Sequence, residues 1–246
     1  MYEEVVCIIP ARFNAKRLPG KPLRTILGKP LIQYVWERVR RAKSVDRIII
    51  ATDTLKVKNV CEKFGAEAIL TSTDCLSGSD RVAQVAKKFK PEIIINVQCD
   101  EPLIPISVID RLIMELKKNK NLKYVTAAYP IKEKSLLQDP NIVKVVIDKN
   151  NYALYFSRAP IPYNRDNNRR VFALKHLGIY GYRYDSLMKF ANMERSNLEK
   201  IEKLEQLRIL ENGYKIKVVI SKYDSISVDT EEDLKKVNKI LTEGKR

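Results

Sequence analysis

Four cations, Arg12, Lys16, Arg17 and Lys21, are crowded into one short segment near the amino end of the chain. Pro19 and Pro22 stiffen this segment, and Gly20 lets it bend. It directly follows the apolar run Val5–Ile9, which reads as a buried strand. Guanidinium and ammonium groups form charge-assisted hydrogen bonds to phosphate oxygens. Open α/β sheets bind ligands at the carboxyl ends of their strands. The segment therefore suits a polyphosphate, against the plainer reading of a solvated basic turn. It is neither a P-loop nor a dinucleotide fingerprint, because the chain contains no G-x-x-x-x-G-K-[ST] and no G-x-G-x-x-G.

The elements that must position such a loop alternate along the first half of the chain. Strand-like runs fall at Val5–Ile9, Arg47–Ala51, Ala68–Leu70, Ile93–Val97 and Tyr124–Tyr129. Between them, Leu31, Tyr34, Val35 and Val39 recur at helical spacing, as do Val57, Val60, Cys61 and Phe64, and then Val82, Val85, Ala86 and Phe89. This alternation predicts an α/β fold, a mostly parallel sheet with helices on both faces. Ser107-x-x-Asp110, Ser196-x-x-Glu199 and Thr230-x-x-Asp233 resemble capping boxes at helix starts. Beyond about residue 130, prolines punctuate β-rich stretches at Val143–Ile147, Ala153–Phe156 and Leu177–Tyr182, which read as a smaller lobe. A helix from about Leu198 to Leu210, a strand over Lys215–Ile220 and a closing helix from Thr230 complete the chain. With no linker, repeat or low-complexity segment, residues 1–246 read as one domain.

Composition narrows the function classes. The 246 residues are 45% hydrophobic, enough for a sizeable core, and no run is long and apolar enough for a membrane helix. Met1-Tyr2-Glu3-Glu4 lacks the basic and apolar regions of a signal peptide, so a cytoplasmic protein is expected. Cys7, Cys61, Cys75 and Cys99 are scattered without a C-x-x-C pair, and one histidine accompanies them. That argues against a Cys/His zinc site, and a reducing compartment argues against disulfides. The net charge of +16 is spread along the chain, apart from a dense patch at Lys117–Lys123 that reads as the basic end of a helix. No nucleic-acid-binding motif accompanies it, so no nucleic acid partner is expected.

Several segments together carry a resemblance. They are I-P-A-R-x5-L-P-G-K-P at Ile9–Pro22, A-T-D at Ala51–Asp53, L-S-G-S-D-R at Leu76–Arg81 and N-V-Q-C-D-E-P at Asn96–Pro102. Further on come Y-A-L-Y-F-S-R at Tyr152–Arg158, K-H-L-G-I-Y-G-Y at Lys175–Tyr182, L-E-Q-L-R at Leu204–Arg208 and V-D-T-E-E-D at Val228–Asp233. The chain resembles the 3-deoxy-manno-octulosonate (KDO) cytidylyltransferases almost end to end. The first motif alone indicates only a sugar nucleotidyltransferase of the Rossmann-like, GT-A-like class. The later segments narrow it to KDO. Cys99 departs from the glycine of the family's segment; a need for positive φ there would strain a cysteine.

The resemblance implies transfer of CMP from CTP to the anomeric hydroxyl of KDO, with release of pyrophosphate, for lipopolysaccharide assembly. About 1–130 would be the nucleotide-binding half and about 131–246 the sugar-binding and dimer-forming half. Arg12, Arg17 and Lys21 match triphosphate-binding positions, and Lys16 matches none. Asp100 and Asp229 match a Mg²⁺ site, although by residue alone they read equally as a turn residue and a helix cap. Arg12, Lys21, Asp100 and Asp229 would carry the catalysis. Ser77, Gly78, Arg81 and Gln98 match the nucleotide segment; simple capping of a helix is the competing reading for Ser77–Arg81. Arg158, His176, Tyr180, Glu205 and Gln206 match the sugar-acid site, with Arg158 suited to a carboxylate. His176 and Tyr180 fall on one strand face with Gly178 between them, which leaves room for a ligand. Glu205 lies at the edge of an apolar stripe and needs a partner, either a sugar hydroxyl or a lysine. Two alternatives stand beside this reading. One is a cytidylyltransferase for 8-amino-KDO or a nonulosonate, and the other is a nucleotide- or RNA-binding protein without turnover.

Overall fold

In the computed structural model, residues 4–14, 17–75, 77–165 and 173–244 are described. Lys16 and Leu76, both within the segments above, lie outside them. The strands are β1 (Val5–Ala11), β2 (Thr25–Ile26), β3 (Lys29–Pro30), β4 (Arg47–Thr52), β5 (Glu67–Leu70), β6 (Ile93–Val97), β7 (Tyr124–Pro130), β8 (Lys144–Ile147), β9 (Ala153–Ser157), β10 (Leu174–Arg183) and β11 (Ile216–Ile220). The helices are α1 (Leu31–Val39), α2 (Leu55–Lys63), α3 (Gly78–Phe89), α4 (Ile106–Lys118), α5 (Lys134–Gln138), α6 (Tyr184–Ala191), α7 (Asn197–Glu202), α8 (Gln206–Glu211) and α9 (Glu231–Thr242).

The main sheet runs β11-β7-β10-β6-β1-β4-β5. β6, β1, β4 and β5 pair in parallel, as do β7 and β11, and β10 is antiparallel to both β6 and β7. The sheet is thus mixed and mostly parallel, as expected. β8 adds to the start of β10 through Leu174↔Val145, and β9 pairs with β8, giving a smaller antiparallel β-rich part. All seven residues of β1 are buried, because helices cover both sides. Val5, Cys7 and Ile9 pack with Val39 of α1, Cys61 of α2 and Ile109 of α4. Val6 and Ile8 belong to the opposite cluster, with Val82 of α3, Phe190 of α6 and Leu207 of α8.

This topology creates a crevice. The chain builds outward from β1 to β4 and β5 on one side, then returns to place β6 on the other. A ligand site is expected where that order reverses, at the carboxyl ends of β1 and β6. Because β10 runs the opposite way, its first half is brought to the same edge, with Ile179 opposite Val97. A third, small cluster of Leu18, Ile26, Leu31, Leu103, Val228 and Val237 packs the basic loop against the segment that precedes α9.

Local chemistry differs from expectation in three places. The helix read over Leu198–Leu210 is broken into α7 and α8, because Lys203 takes a left-handed conformation at φ 55. Ile201, an apolar residue within that span, is 77% exposed. Ser107 does not cap α4, which starts one residue earlier after Pro105; Asp110 instead accepts the Ser44 N–H at 3.0 Å. α6 follows β10 with no intervening turn residues, so the sequence offers no break to mark it. At Ser77 and Thr230 the capping boxes close in both directions, and Glu199 accepts the Ser196 N–H at 3.3 Å.

Gly181 in β10 marks how tightly α4 sits on the sheet. A Cβ there would lie 2.6 Å from Val125 Cγ1 and 2.9 Å from Leu116 Cδ1. Gly181→Ala is expected to destabilise the fold by about 1–3 kcal/mol through overpacking. An unchanged denaturation midpoint would show that α4 does not press on β10 this closely.

Candidate active site

The basic loop leaves β1 at Arg12 and folds back on itself, with the Gly20 N–H donating to Phe13 O at 3.1 Å. Gly20 sits at φ 68, a conformation that favours glycine. It opens a short 3₁₀ turn, Lys21–Leu23, while Leu18 is buried as an anchor. Asp53, at the end of the β4 segment, accepts the Phe13 N–H at 3.1 Å and lies 4.0 Å from Arg12 Nε. Arg12 and Arg17 keep exposed side chains.

Lys21 points inward from this turn. Its ammonium donates to Asp100 Oδ2 at 2.6 Å and to Asp229 Oδ1 at 2.8 Å. Arg17 Nη2 reaches the other oxygen of Asp229 at 3.0 Å. Burial works against the Lys21 charge, but the Asp100 charge and the hydrogen bonds to Asp100 and Asp229 outweigh it and hold the ammonium above its usual pKa. The two aspartates meet because the Val228 N–H donates to Asp100 O at 2.8 Å. Lys175 bonds the Ser225 carbonyl at 2.7 Å and Asp224 at 3.0 Å, tying the same segment to β10. Cys99 is buried, its φ is not positive, and burial first and Asp100 next push its thiol up to about 12. The strain that a left-handed backbone would bring is therefore absent, and the sulfur stays a neutral, packed group.

Beside this charged centre lies a pocket of about 420 Å³. Its walls bring together Ser77, Gly78, Gln98, His176, Tyr180, Glu205 and Gln206. Seven of the residues read from sequence, drawn from both the nucleotide and the sugar groups, thus share one cavity. Gly78 packs against Gln98, where an added Cβ would lie 3.1 Å from Oε1. A polar chain runs beneath the floor. Gln98 Nε2 donates to Asn96 Oδ1 at 3.0 Å, Asn96 Nδ2 to Ser79 Oγ at 3.4 Å, and Ser79 Oγ to Glu205 Oε1 at 2.6 Å. Glu205 Oε2 is buried with no hydrogen-bond partner among the described residues. Burial raises the Glu205 pKa, against the hydrogen bond from Ser79.

His176 and Tyr180 stand together, with ring centroids 5.3 Å apart. The pairing of β10 with β7 shifts between Leu177 and Tyr180, inserting two extra residues. An even insertion keeps the side-chain parity, so both rings still share a face. Phe156 meets the imidazole edge-on at 5.1 Å, and burial pushes the His176 pKa down to about 3.

Two residues are placed differently from the others. Arg81 is buried, and its guanidinium bonds Thr71 and the Ser72 carbonyl and pairs with Asp53 at 3.4 Å. It ties the segments that follow β4 and β5 together rather than lining the cavity. Arg158 donates to the carbonyls of Glu202 and Pro140, both at 2.9 Å, at the edge of the β8–β9 part. Sequence reasoning did not assign Asp53, Asn96, Ser79, Glu101 or Thr126 to the site. Asn96 carried a signal, a polar residue inside an apolar strand, and Asp53 stood in the A-T-D segment. Glu101 is buried, takes a hydrogen bond from Ser225, and has its carboxyl pushed up to about 7 by burial and then by Asp100.

A cationic loop, two converging carboxylates and a neighbouring polar pocket meet at the switch-point crevice, an arrangement that suits a nucleotidyltransferase. A family model described as cytidylyltransferase matches residues 6–216. The 3-deoxy-manno-octulosonate cytidylyltransferase of Thermodesulfovibrio yellowstonii is 47% identical, over 96% of this chain and 97% of that relative. The protein of the same name from Fusobacterium nucleatum is 45% identical, over 96% of both chains. A solved CMP:2-keto-3-deoxy-manno-octonic acid synthetase, complexed with CTP, superposes with a TM-score of 0.93 at 38% identity, covering 98% of this chain and 99% of that one. A cytidylyltransferase from Leptospira borgpetersenii, 16% identical with a TM-score of 0.67 over 98% of this chain and 87% of that one, shares the fold. The chain belongs to the 3-deoxy-manno-octulosonate cytidylyltransferase family. Among the described residues, no helix is long and apolar enough to cross a membrane.

The depressed His176 pKa has a measurable consequence. Free histidine titrates near 6.5, whereas the folded group titrates at about 3. Between these values the unfolded state binds the extra proton. The stability from keeping His176 neutral is therefore full above about pH 6.5 and lost as pH falls toward 3. His176→Gln is expected to flatten the fall in unfolding free energy between pH 6.5 and 4 by up to about 1.4 kcal/mol per pH unit. Identical pH slopes in chemical denaturation of the two proteins would place the imidazole in water.

Proposed function

We propose that this chain transfers CMP from CTP to the anomeric hydroxyl of KDO, releasing pyrophosphate. The observation that carries this reading is the convergence of Asp100 and Asp229 on the Lys21 ammonium, beside a pocket shared by Gln98 and His176, in a member of this family. The reaction forms a bond from the anomeric oxygen to the α-phosphorus and breaks the bond to the leaving pyrophosphate. Such chemistry rests on positioning and on charge stabilisation.

The site suits Mg²⁺, which favours one or two carboxylates with phosphate oxygens and water filling the octahedron. Asp100 and Asp229 already bracket one cation, the Lys21 ammonium, and both side chains are partly exposed. Among the described residues, no cluster of three or more metal-ligating side chains competes. Asp100 and Asp229 would hold the ion, which when bound would polarise the α-phosphate and neutralise its charge. Arg12, Arg17 and Lys21 cover the triphosphate and stabilise the charge on pyrophosphate as it leaves. Ser77, Gly78 and Gln98 receive the nucleoside, and Arg81 fixes the loop beneath it through Asp53. His176, Tyr180, Glu205 and Gln206 hold the sugar. Arg158 exchanges the carbonyl of Pro140 for the sugar's carboxylate. We place the reaction in the cytoplasm, in lipopolysaccharide assembly, with the chain as a homodimer.

Pyrophosphate release from CTP should require both Mg²⁺ and KDO, and chelation should abolish it reversibly. Release with a nonulosonate and none with KDO would reject the sugar, and no release with any sugar acid would reject the transferase reading. Asp100→Ala or Asp229→Ala is expected to reduce turnover by at least about 100-fold with the fold retained. Near-normal rates at saturating Mg²⁺ would remove these carboxylates from the metal. Arg158→Ala should raise the apparent KM for KDO far more than that for CTP; the reverse pattern would give Arg158 another partner.

A further inference from the structure

Thr126 lies in β7, fully buried beneath the imidazole of His176. Its hydroxyl oxygen touches two groups. It donates to the Ile179 carbonyl at 2.7 Å, and it lies 2.9 Å from His176 Nε2. A threonine hydroxyl has one proton. The carbonyl of Ile179, a residue left unpaired with β7 by the irregularity in β10, takes that proton. Toward the imidazole, Oγ1 can then only accept, so Nε2 must be the protonated nitrogen. In a neutral imidazole the other nitrogen is then a bare acceptor. Burial keeps the ring neutral, and the rings packed on it, Phe156 and Tyr180, offer no charge. The ring lines the pocket, and its hydrogen bond among the described residues is the one at Nε2. Nδ1 is therefore the polar atom that His176 offers to a ligand.

We infer that Thr126 is a positioning residue that locks His176 in the Nε2–H tautomer, so that Nδ1 presents a hydrogen-bond acceptor selecting a hydroxyl donor of the substrate. The inference deepens the proposed function and rests on its reading of this pocket as the sugar-acid site. A polar group fixed in this way discriminates strongly, because a ligand lacking the donor leaves a buried acceptor unpaired. The irregularity in β10 thus has a role beyond shape: without a carbonyl to consume the Thr126 proton, either tautomer could form.

His176 is the chain's only histidine, so isotope labelling of histidine in an untagged protein reports one imidazole. Multiple-bond ¹⁵N–¹H correlation at pH 7 should show a protonated Nε2 and a bare Nδ1. Addition of KDO should shift the Nδ1 resonance toward that of a hydrogen-bonded acceptor. Thr126→Val should yield mixed tautomers and raise the apparent KM for KDO about tenfold, with the KM for CTP and kcat nearly unchanged. That tenfold is about 1.4 kcal/mol, the scale of one lost hydrogen bond. Thr126→Ser, which keeps the hydroxyl, should restore both the tautomer and the KM. A protonated Nδ1 or averaged tautomers in the wild type would overturn the inference. So would a Thr126→Ser variant as impaired as Thr126→Val, or an Nδ1 resonance unmoved by a sugar acid that the enzyme turns over. Failure of the functional reading looks different: the wild type would release no pyrophosphate with any sugar acid, whatever its tautomer.

Discussion

The site is organised around one ammonium between two carboxylates. Lys21, Asp100 and Asp229 come from segments 79 and 208 residues apart along the chain. Two carboxylates at this separation repel strongly unless a cation lies between them. The fold supplies that cation and then fixes the three segments independently of it. Leu18, Leu103 and Val228 pack in one small apolar cluster, and a backbone hydrogen bond joins Val228 to Asp100. The carboxylates are therefore held in register by packing, not only by their shared charge.

The reversed strand β10 makes the second half of the site possible. In a purely parallel sheet, every strand would present only its carboxyl end at the crevice. With β10 antiparallel between β6 and β7, residues from its first half reach that edge and face Gln98. Gly178 lies where an added Cβ would meet Gln98 Cγ and Glu101 Oε1 at 3.5 Å each, so the strand approaches the β6 segment closely. Topology, rather than any one side chain, joins residues of the β6 segment to those of β10 in one pocket.

Burying this many polar groups carries a cost that hydrogen bonding must offset. Asn96 and Ser79 have partners, and so does Glu205 through one oxygen. The Glu199 carboxylate is held by Arg208 through a two-pronged pair at 2.8 and 2.7 Å, which fixes α7 against α8. The second oxygen of Glu205 is left unpaired.

Much of this was legible in the residues. Apolar runs and helical spacing determined the alternation of strands and helices, because burial on both faces of a parallel sheet leaves an unmistakable pattern in β1 and β6. The motifs named the charged residues. What they could not reveal was which charges point where. Arg81 and Arg158 have the same side chain as Arg12, yet one is spent inside on Asp53 and the other on backbone carbonyls. The break at Lys203 likewise left no trace, since the left-handed turn there is carried by a lysine instead of a glycine. The tautomer of His176 depends on a threonine 50 residues away and on a carbonyl displaced by an irregular strand. Local propensity and periodicity act over a few residues and set the elements. Convergence of distant groups, and the direction of each hydrogen bond, are decided only when the sheet brings them within a few ångströms.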